Sequence, residues 1–245
     1  NNTATRTLLS ALGVYPDLSV TNVAASPASG WLPGDTVTLN WKTNNQGDGV
    51  TSGSWTETLV VKNLTTGQTV FTQSIAYDAT VLGNIAAGGS VDRSYSFAWP
   101  ISGSSGQFEF KVTTDTQNQL FENNAGNTAE TNNSGLTNVL SALDLTVTGL
   151  ISDIAAPHSG DLMTLTWNDV NSGNRAITSG WNDRIRVVNQ NTGEVLLNQQ
   201  LQYELAAGGI VAAGGSVART YTFRLPEGNS CAGNLLFTVT ADQNT

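Results

Sequence analysis

The chain has 245 residues but only one cysteine, Cys231, and one histidine, His158. A lone cysteine excludes an intrachain disulfide and a thiolate metal cluster. Cys231 sits in the turn sequence GNSCAGN and reads as a bystander thiol rather than a nucleophile. A lone histidine cannot build a zinc site, and His158, in the turn APHSGD, is a poor partner for a catalytic triad. Only 12% of residues are charged, against roughly 25% in typical domains. Lysine is scarce (Lys42, Lys62, Lys111), and the net charge is −9 with a pI near 4.4. That balance argues against nucleic-acid binding, which needs clustered cations against phosphates. It fits a soluble surface protein or one that binds divalent cations. No run of about 18 apolar residues is present to span a membrane, and no signal peptide is visible. A nucleophile elbow, a phosphate-cradling loop and a dinucleotide fingerprint are all lacking, so the chain reads as non-enzymatic.

What is present is Thr, Ser, Asn, Gln and Gly around a 39% hydrophobic content. β-Branched residues suit strands and Asn/Gly suit turns, so the composition is that of a β-rich, turn-rich protein. It also holds enough apolar material for real cores. The length suits about two domains.

The two halves repeat. PDLSVTNV at 16–23 matches LDLTVTGL at 143–150, and GDTVTLNW at 34–41 matches GDLMTLTW at 160–167. TSGSW at 51–55 matches TSGW at 178–181. AAGGSVDRSYSFAWP at 86–100 matches AAGGSVARTYTFRLP at 212–226, and FEFKVTTD at 108–115 matches LLFTVTAD at 235–242. Five ordered matches at an offset of 126–127 residues define an internal duplication.

Inside each repeat the period is two. Val37, Leu39 and Trp41 alternate with polar residues, as do Tyr95, Phe97 and Trp99, and Phe108, Phe110 and Val112. Such a strand buries one face and wets the other. Gly/Asn/Asp clusters separate the runs. Roughly seven short strands in each repeat predict an all-β fold, two tandem immunoglobulin-like antiparallel β-sandwiches. The expected divisions are 1–15 (an N-terminal strand and linker), 16–141 (sandwich 1) and 142–245 (sandwich 2, last strand missing). The expected core is Val37, Leu39, Trp41, Tyr95, Phe97 and Phe110, with Met163, Leu165, Trp167, Tyr221, Phe223 and Phe237 in the second half.

Two candidate ligand sites stand out. Trp31, in the turn ASGWLPGD, has no aromatic counterpart in the second repeat and is the candidate exposed platform for a sugar or a cell-surface protein. The polar stretch 115–133 offers Asp115, Asn118, Glu122 and Glu130 as calcium ligands, since calcium takes six to eight oxygens. The other reading of that stretch is a long turn closed by Asx hydrogen bonds. Calcium apart, no cofactor is expected.

PDLSVTNV opening a sandwich, GDTVTLNW on its second strand and a closing Asp/Asn/Glu loop resemble the CARDB family, the cell-adhesion-related immunoglobulin-like domains of bacterial and archaeal surface proteins. The residues that carry the resemblance are Pro16, Asp17, Leu18, Gly34, Asp35, Asp115, Asn118, Glu122, Glu130, Asn132 and Asn133. The resemblance implies an extracellular, cell-surface, usually tandem module without catalysis, acting in adhesion, surface layers or spacing. Fold analogy names no ligand.

The ends of the chain add a further expectation. NNTATRTLLSAL at 1–12 resembles NNSGLTNVLSAL at 132–143, which should be the first sandwich's last strand. The second sandwich stops at Thr245, before any counterpart of that strand. Residues 1–12, with Thr3, Thr5, Thr7, Leu8, Leu9 and Leu12 as assembly residues, are expected to complete a second sandwich in a neighbouring copy. Only residues 13–16 link them to the first sandwich, a reach of at most ~14 Å, which excludes filling the slot within one chain. The expected partners are copies of the chain itself or neighbouring repeats of one polypeptide. Two readings of function therefore stand: a stalk or filament subunit, and a ligand-binding adhesin module that uses sandwich-end loops.

Overall fold

The computed structural model describes residues 2–100 and 105–242. Expectations that fall on 1, 101–104 and 243–245 lie outside the described residues. The chain divides into two compact units, residues 1–28 with 33–139 and residues 29–32 with 140–245. The division after 139 falls two residues before the expected boundary, and the short segment 29–32 is grouped with unit 2.

Unit 1 contains β1 (Leu18–Ser26), β2 (Thr36–Asn45), β3 (Trp55–Asn63), β4 (Thr69–Tyr77), the single helical turn α1 (Ala79–Leu82), β5 (Ser90–Ala98), β6 (Gly106–Thr113) and β7 (Ser134–Ser141). Its sheets run β1-β2-β5 and β4-β3-β6-β7. Unit 2 repeats the order with β8 (Leu145–Ser152), β9 (Leu162–Asn171), β10 (Trp181–Asn189), β11 (Val195–Tyr203), α2 (Leu205–Gly208), β12 (Ser216–Arg224) and β13 (Leu235–Thr240). Its sheets run β12-β9-β8 and β11-β10-β13. The all-β sandwich expectation is met in both.

The duplication extends to register. Val37, Leu39 and Trp41 on β2 face Phe97, Tyr95 and Arg93 on β5, and Met163, Leu165 and Trp167 on β9 face Phe223, Tyr221 and Arg219 on β12. A bulge interrupts β1–β2 between Thr21 and Ala24, and its copy interrupts β8–β9 between Thr148 and Ile151. Inside the bulge the backbone turns left-handed, at Asn22 (φ 56°) and at Gly149 (φ 63°). Asn and Gly are the residues that take that conformation at least cost.

The cores follow the period-two pattern. Val37, Leu39, Trp41, Phe97 and Phe110 are buried in unit 1, as are Met163, Leu165, Trp167 and Phe223 in unit 2. Fully burying such a side chain is worth roughly 1.5–3 kcal/mol. Three expected core residues, Tyr95, Tyr221 and Phe237, are only half-buried. The tyrosine rings pack against the buried phenylalanines of the same strands, Tyr95 on Phe97 and Tyr221 on Phe223. Phe237 lies in a different setting. In unit 1, β7 lies beside β6, and Phe108, Phe110 and Val112 on β6 are all 0% exposed. Their counterparts on β13, Leu235, Phe237 and Val239, are all half-buried, and no strand flanks β13 opposite β10 among the described residues.

Candidate functional site

The polar stretch after β6 forms a loop closed on itself. Asp115, at φ 42°, accepts the backbone N–H of Gln119 on Oδ1 (2.8 Å) and of Leu120 on Oδ2 (2.9 Å). Glu122 is 4% exposed; its Oε2 accepts the Leu18 N–H at 2.5 Å and its Oε1 accepts Asn133 Nδ2 at 3.2 Å. Glu130 accepts the Glu122 N–H at 3.2 Å, and Asn118 is exposed. Asp17 accepts Asn132 Nδ2 (2.8 Å) and Asn124 Nδ2 (3.0 Å), tying the loop to the start of β1.

Of the residues expected as calcium ligands, Asp115, Glu122 and Glu130 accept N–H donors and Asn118 is exposed. Among the described residues no group of three or more His, Cys, Asp or Glu could hold a metal ion. The loop is a chain of side-chain-closed turns. Burial pushes the Glu122 carboxyl up to about 8; the Leu18 N–H opposes the rise, and the charges of Glu130 and Asp115 add to it.

Trp31 also differs from expectation: it is 1% exposed and so offers no open face to a sugar or protein. Its turn sequence marked the backbone as a surface loop but said nothing of the indole, which gains by packing inward. His158 is exposed, with Nδ1 3.6 Å from Asp161 and its backbone N–H on the same carboxylate. Cys231 is buried in the unit 2 core, its thiol donating to Pro226 O at 3.2 Å.

Sequence patterning did not single out the buried ionic centres. In unit 1, Glu57 is 0% exposed and accepts Arg93 Nε at 2.9 Å and Thr43 Oγ1 at 2.7 Å. Trp55 Nε1 donates to Thr114 Oγ1 at 2.8 Å, and Trp41 Nε1 has no hydrogen-bond partner among the described residues. In unit 2 the matching positions hold Asp183 for Glu57, Arg219 for Arg93, Asp169 for Thr43 and Ala241 for Thr114. Arg219 Nε lies 2.8 Å from Asp183 and 3.3 Å from Asp169, and both aspartates are 0% exposed. A signal was available: strand alternation from Trp167 and Trp181 points Asp169 and Asp183 inward.

The last candidate is an edge rather than a pocket. Residues 2–14 belong to no strand and are exposed; Leu8 is 71%, Leu9 102% and Leu12 77% exposed. Thr3, Thr5 and Thr7 share that exposure. Residues 3–12 match 134–143, which includes all of β7.

Both units are thus immunoglobulin-like antiparallel β-sandwiches. Residues 15–135 match the CARDB family model, and this part of the chain is a CARDB domain. Among solved structures, the chain is similar to the CARDB domain of a Pyrococcus furiosus protein, crystallised in complex with di-metal ions. The identity is 14%, covering 57% of this chain and 100% of that one, with a TM-score of 0.34. A domain of a putative cell surface protein from Methanosarcina acetivorans is 23% identical over 52% of this chain and 92% of that one, with a TM-score of 0.34. Red sea bream transglutaminase is 11% identical over 93% of this chain, with a TM-score of 0.40. The chain spans 29% of that enzyme's length. No curated protein matches the chain. Among the described residues no helix is long and apolar enough to cross a membrane.

Proposed function

We propose that the chain is a non-catalytic structural module of a cell-surface protein, and that its copies join head to tail. Residues 3–12 of one copy pair with the free edge of β13 in another. The observation that carries this reading is the contrast between β6, sealed by β7, and β13, whose inner residues are only half-buried beside an edge unpaired among the described residues. Residues 3–12 are a β7-like sequence without a strand partner among the described residues. An added strand gains main-chain hydrogen bonds along its length and pockets for alternate side chains. Aligned on β7, Leu8 takes the inward place of Val139, and Thr3, Thr5, Thr7 and Leu9 take outward places. Leu12 follows the strand, as Leu143 follows β7.

One position sets a condition. Ala4 aligns with Gly135, where a Cβ would stand 2.5 Å from Val20 O. A donated strand must therefore lie farther from β8 there than β7 lies from β1. Joining one end to a different end gives a non-closing, fibre-like assembly. It also covers an edge that would otherwise invite uncontrolled pairing.

Sedimentation of the full chain and of a variant lacking residues 2–12 tests this. The expected result is concentration-dependent oligomers for the full chain. The truncated chain should give monomers whose unit 2 melts earlier and is restabilised by a peptide of residues 2–14. A full chain that stays monomeric, with the same melting curve after truncation, overturns the proposal.

A further inference from the structure

At the centre of unit 2, two carboxyl groups share one cation inside a sandwich. Trp167 Nε1 donates to Asp169 Oδ1 at 3.1 Å. Trp181 Nε1 is shared between Asp169 Oδ2 (3.2 Å) and Asp183 Oδ1 (3.1 Å). Arg219 reaches both carboxyls through Nε, donates through an amino group to Leu201 O at 2.9 Å, and lies 5.5 Å from the Tyr203 ring centroid. The two carboxyls converge on the same two donors, Arg219 Nε and Trp181 Nε1, so two like charges are gathered at one buried point. Burial, with the Asp183 charge beside it, pushes the Asp169 carboxyl up to about 7. Among the described residues of the unit 2 strands, no other cation contacts the pair. β8, β11 and β13 carry no charged residue, β9 carries only Asp169, and Arg184 and Arg186 alternate to the opposite face of β10 from Asp183. On β12 the remaining cation, Arg224, donates to Gly160 O.

Unit 1 shows what the site looks like with charges balanced: one glutamate, one arginine and two threonine hydroxyls. The second carboxylate in unit 2 replaces a hydroxyl. Two buried anions against one cation leave one excess charge in a low-dielectric interior, where an unpaired charge is costly. Taking up one proton removes the excess and supplies the missing donor between the oxygens.

We infer that Asp169, Asp183 and Arg219 form a proton-operated lock in unit 2. With one proton held between the carboxyls the sandwich is tight; with both carboxylates ionised, repulsion across β9 and β10 loosens it. This does not rest on head-to-tail joining, since all the groups lie within one unit.

The sign follows from linkage. The dyad holds its proton to higher pH when folded than when unfolded, so the stabilisation is complete at acid pH. It is lost as pH rises toward the folded-state value. Within that window the unfolding constant of unit 2 rises by up to about tenfold for each pH unit. Glu122 gives unit 1 its own pH dependence, so the measurement has to be site-resolved.

The test is a carboxyl-carbon NMR titration of the full chain, with unit 2 melting followed at pH 5.5 and 8.5. Asp169→Thr installs the unit 1 residue and Asp169→Asn keeps an acceptor for Trp167. The expected result is one dyad carboxyl titrating near neutrality, with unit 2 melting lower at pH 8.5 than at 5.5. Both variants should lose that difference. Titration of both aspartates below pH 5 overturns the proposal without any variant. So does an unchanged pH difference in Asp169→Thr or Asp169→Asn.

Discussion

Units 1 and 2 keep the same arginine, the same indole pair and the same stacked tyrosine, yet differ in how much negative charge they bury. Trp55 stacks on Tyr77 at 3.7 Å and Trp181 on Tyr203 at 4.0 Å; Tyr77 donates to Gly83 O and Tyr203 to Gly209 O. Against that fixed frame, Thr43 and Thr114 in unit 1 become Asp169 and Ala241 in unit 2. The geometry of a sandwich can therefore be copied through its register while the polar contents of its core are exchanged. What the exchange must respect is hydrogen bonding. The hydroxyl that serves Trp55 in unit 1 is lost in unit 2, and the added carboxylate serves both indoles instead.

The largest expected effect tests that comparison through its arginines. Arg219→Met strands two buried carboxyls and should cost unit 2 ~3–5 kcal/mol at neutral pH. The deficit should shrink in acid as the carboxyls take up protons. Arg93→Met strands one carboxylate that Thr43 and Thr114 still serve, so unit 1 should lose less. Residue-resolved hydrogen exchange in β2 and β9 under native conditions reads each unit separately. Equal losses at pH 8.5, where both carboxyls of unit 2 should be ionised, would show that the second carboxyl adds no charge to the core.

A second comparison concerns the strands that differ in cover. Phe110 is 0% exposed beneath β7 and beside Trp99, whereas Phe237 on β13 is half-buried. Phe110→Ala should cost unit 1 ~3–5 kcal/mol, the range for emptying a closed core site. Phe237→Ala in the monomeric truncated chain should cost roughly half of that, because part of the ring is already in water. In the full chain at assembling concentrations the two costs should converge, as the donated strand covers Phe237. Urea unfolding at low and high protein concentration makes the measurement.

The sandwiches, the duplication and the strand faces were legible because burial with period two is a local property written along each strand. The inward faces of β2 and β5 could be read from which alternating residues were apolar, while their pairing and register come from the fold. The loop chemistry was not legible in the same way. Asp115 and Glu122 look identical as calcium ligands and as turn-closing acceptors, since both roles need exposed-type oxygens at irregular spacing. The difference lies in which backbone N–H groups the fold brings to them, Leu18 for Glu122 above all, 104 residues away. Trp31 failed as a surface candidate because a turn fixes where the backbone runs and leaves the side chain free to pack. The buried charges have the opposite character: Asp169 and Asp183 obey the alternation and point inward, and only their residue type argues for the surface.

The smallest expected effect separates the two pH-sensitive carboxyls. Glu122 in unit 1 is held at about 8 chiefly by burial, well above its ordinary 4.5. A folded-state value above the unfolded one means that the stabilisation is complete below about pH 4.5. It is lost as pH rises through about 8. Unlike the dyad, Glu122 faces no arginine and accepts two N–H donors, both of which favour its ionised form. The two donors offset part of the burial, and the effect is read as a lower melting temperature of unit 1 at pH 8.5 than at pH 5. Glu122→Gln keeps an acceptor for Leu18 and removes the titration. Unit 1 of that variant should melt at nearly the same temperature at pH 5 and pH 8.5, while unit 2 keeps its own pH difference. Melting of both units followed by NMR signals from β2 and β9 makes the separation. If Glu122→Gln also flattens unit 2, the two carboxyls do not act independently, and the pH dependence is a property of the whole chain rather than of each sandwich.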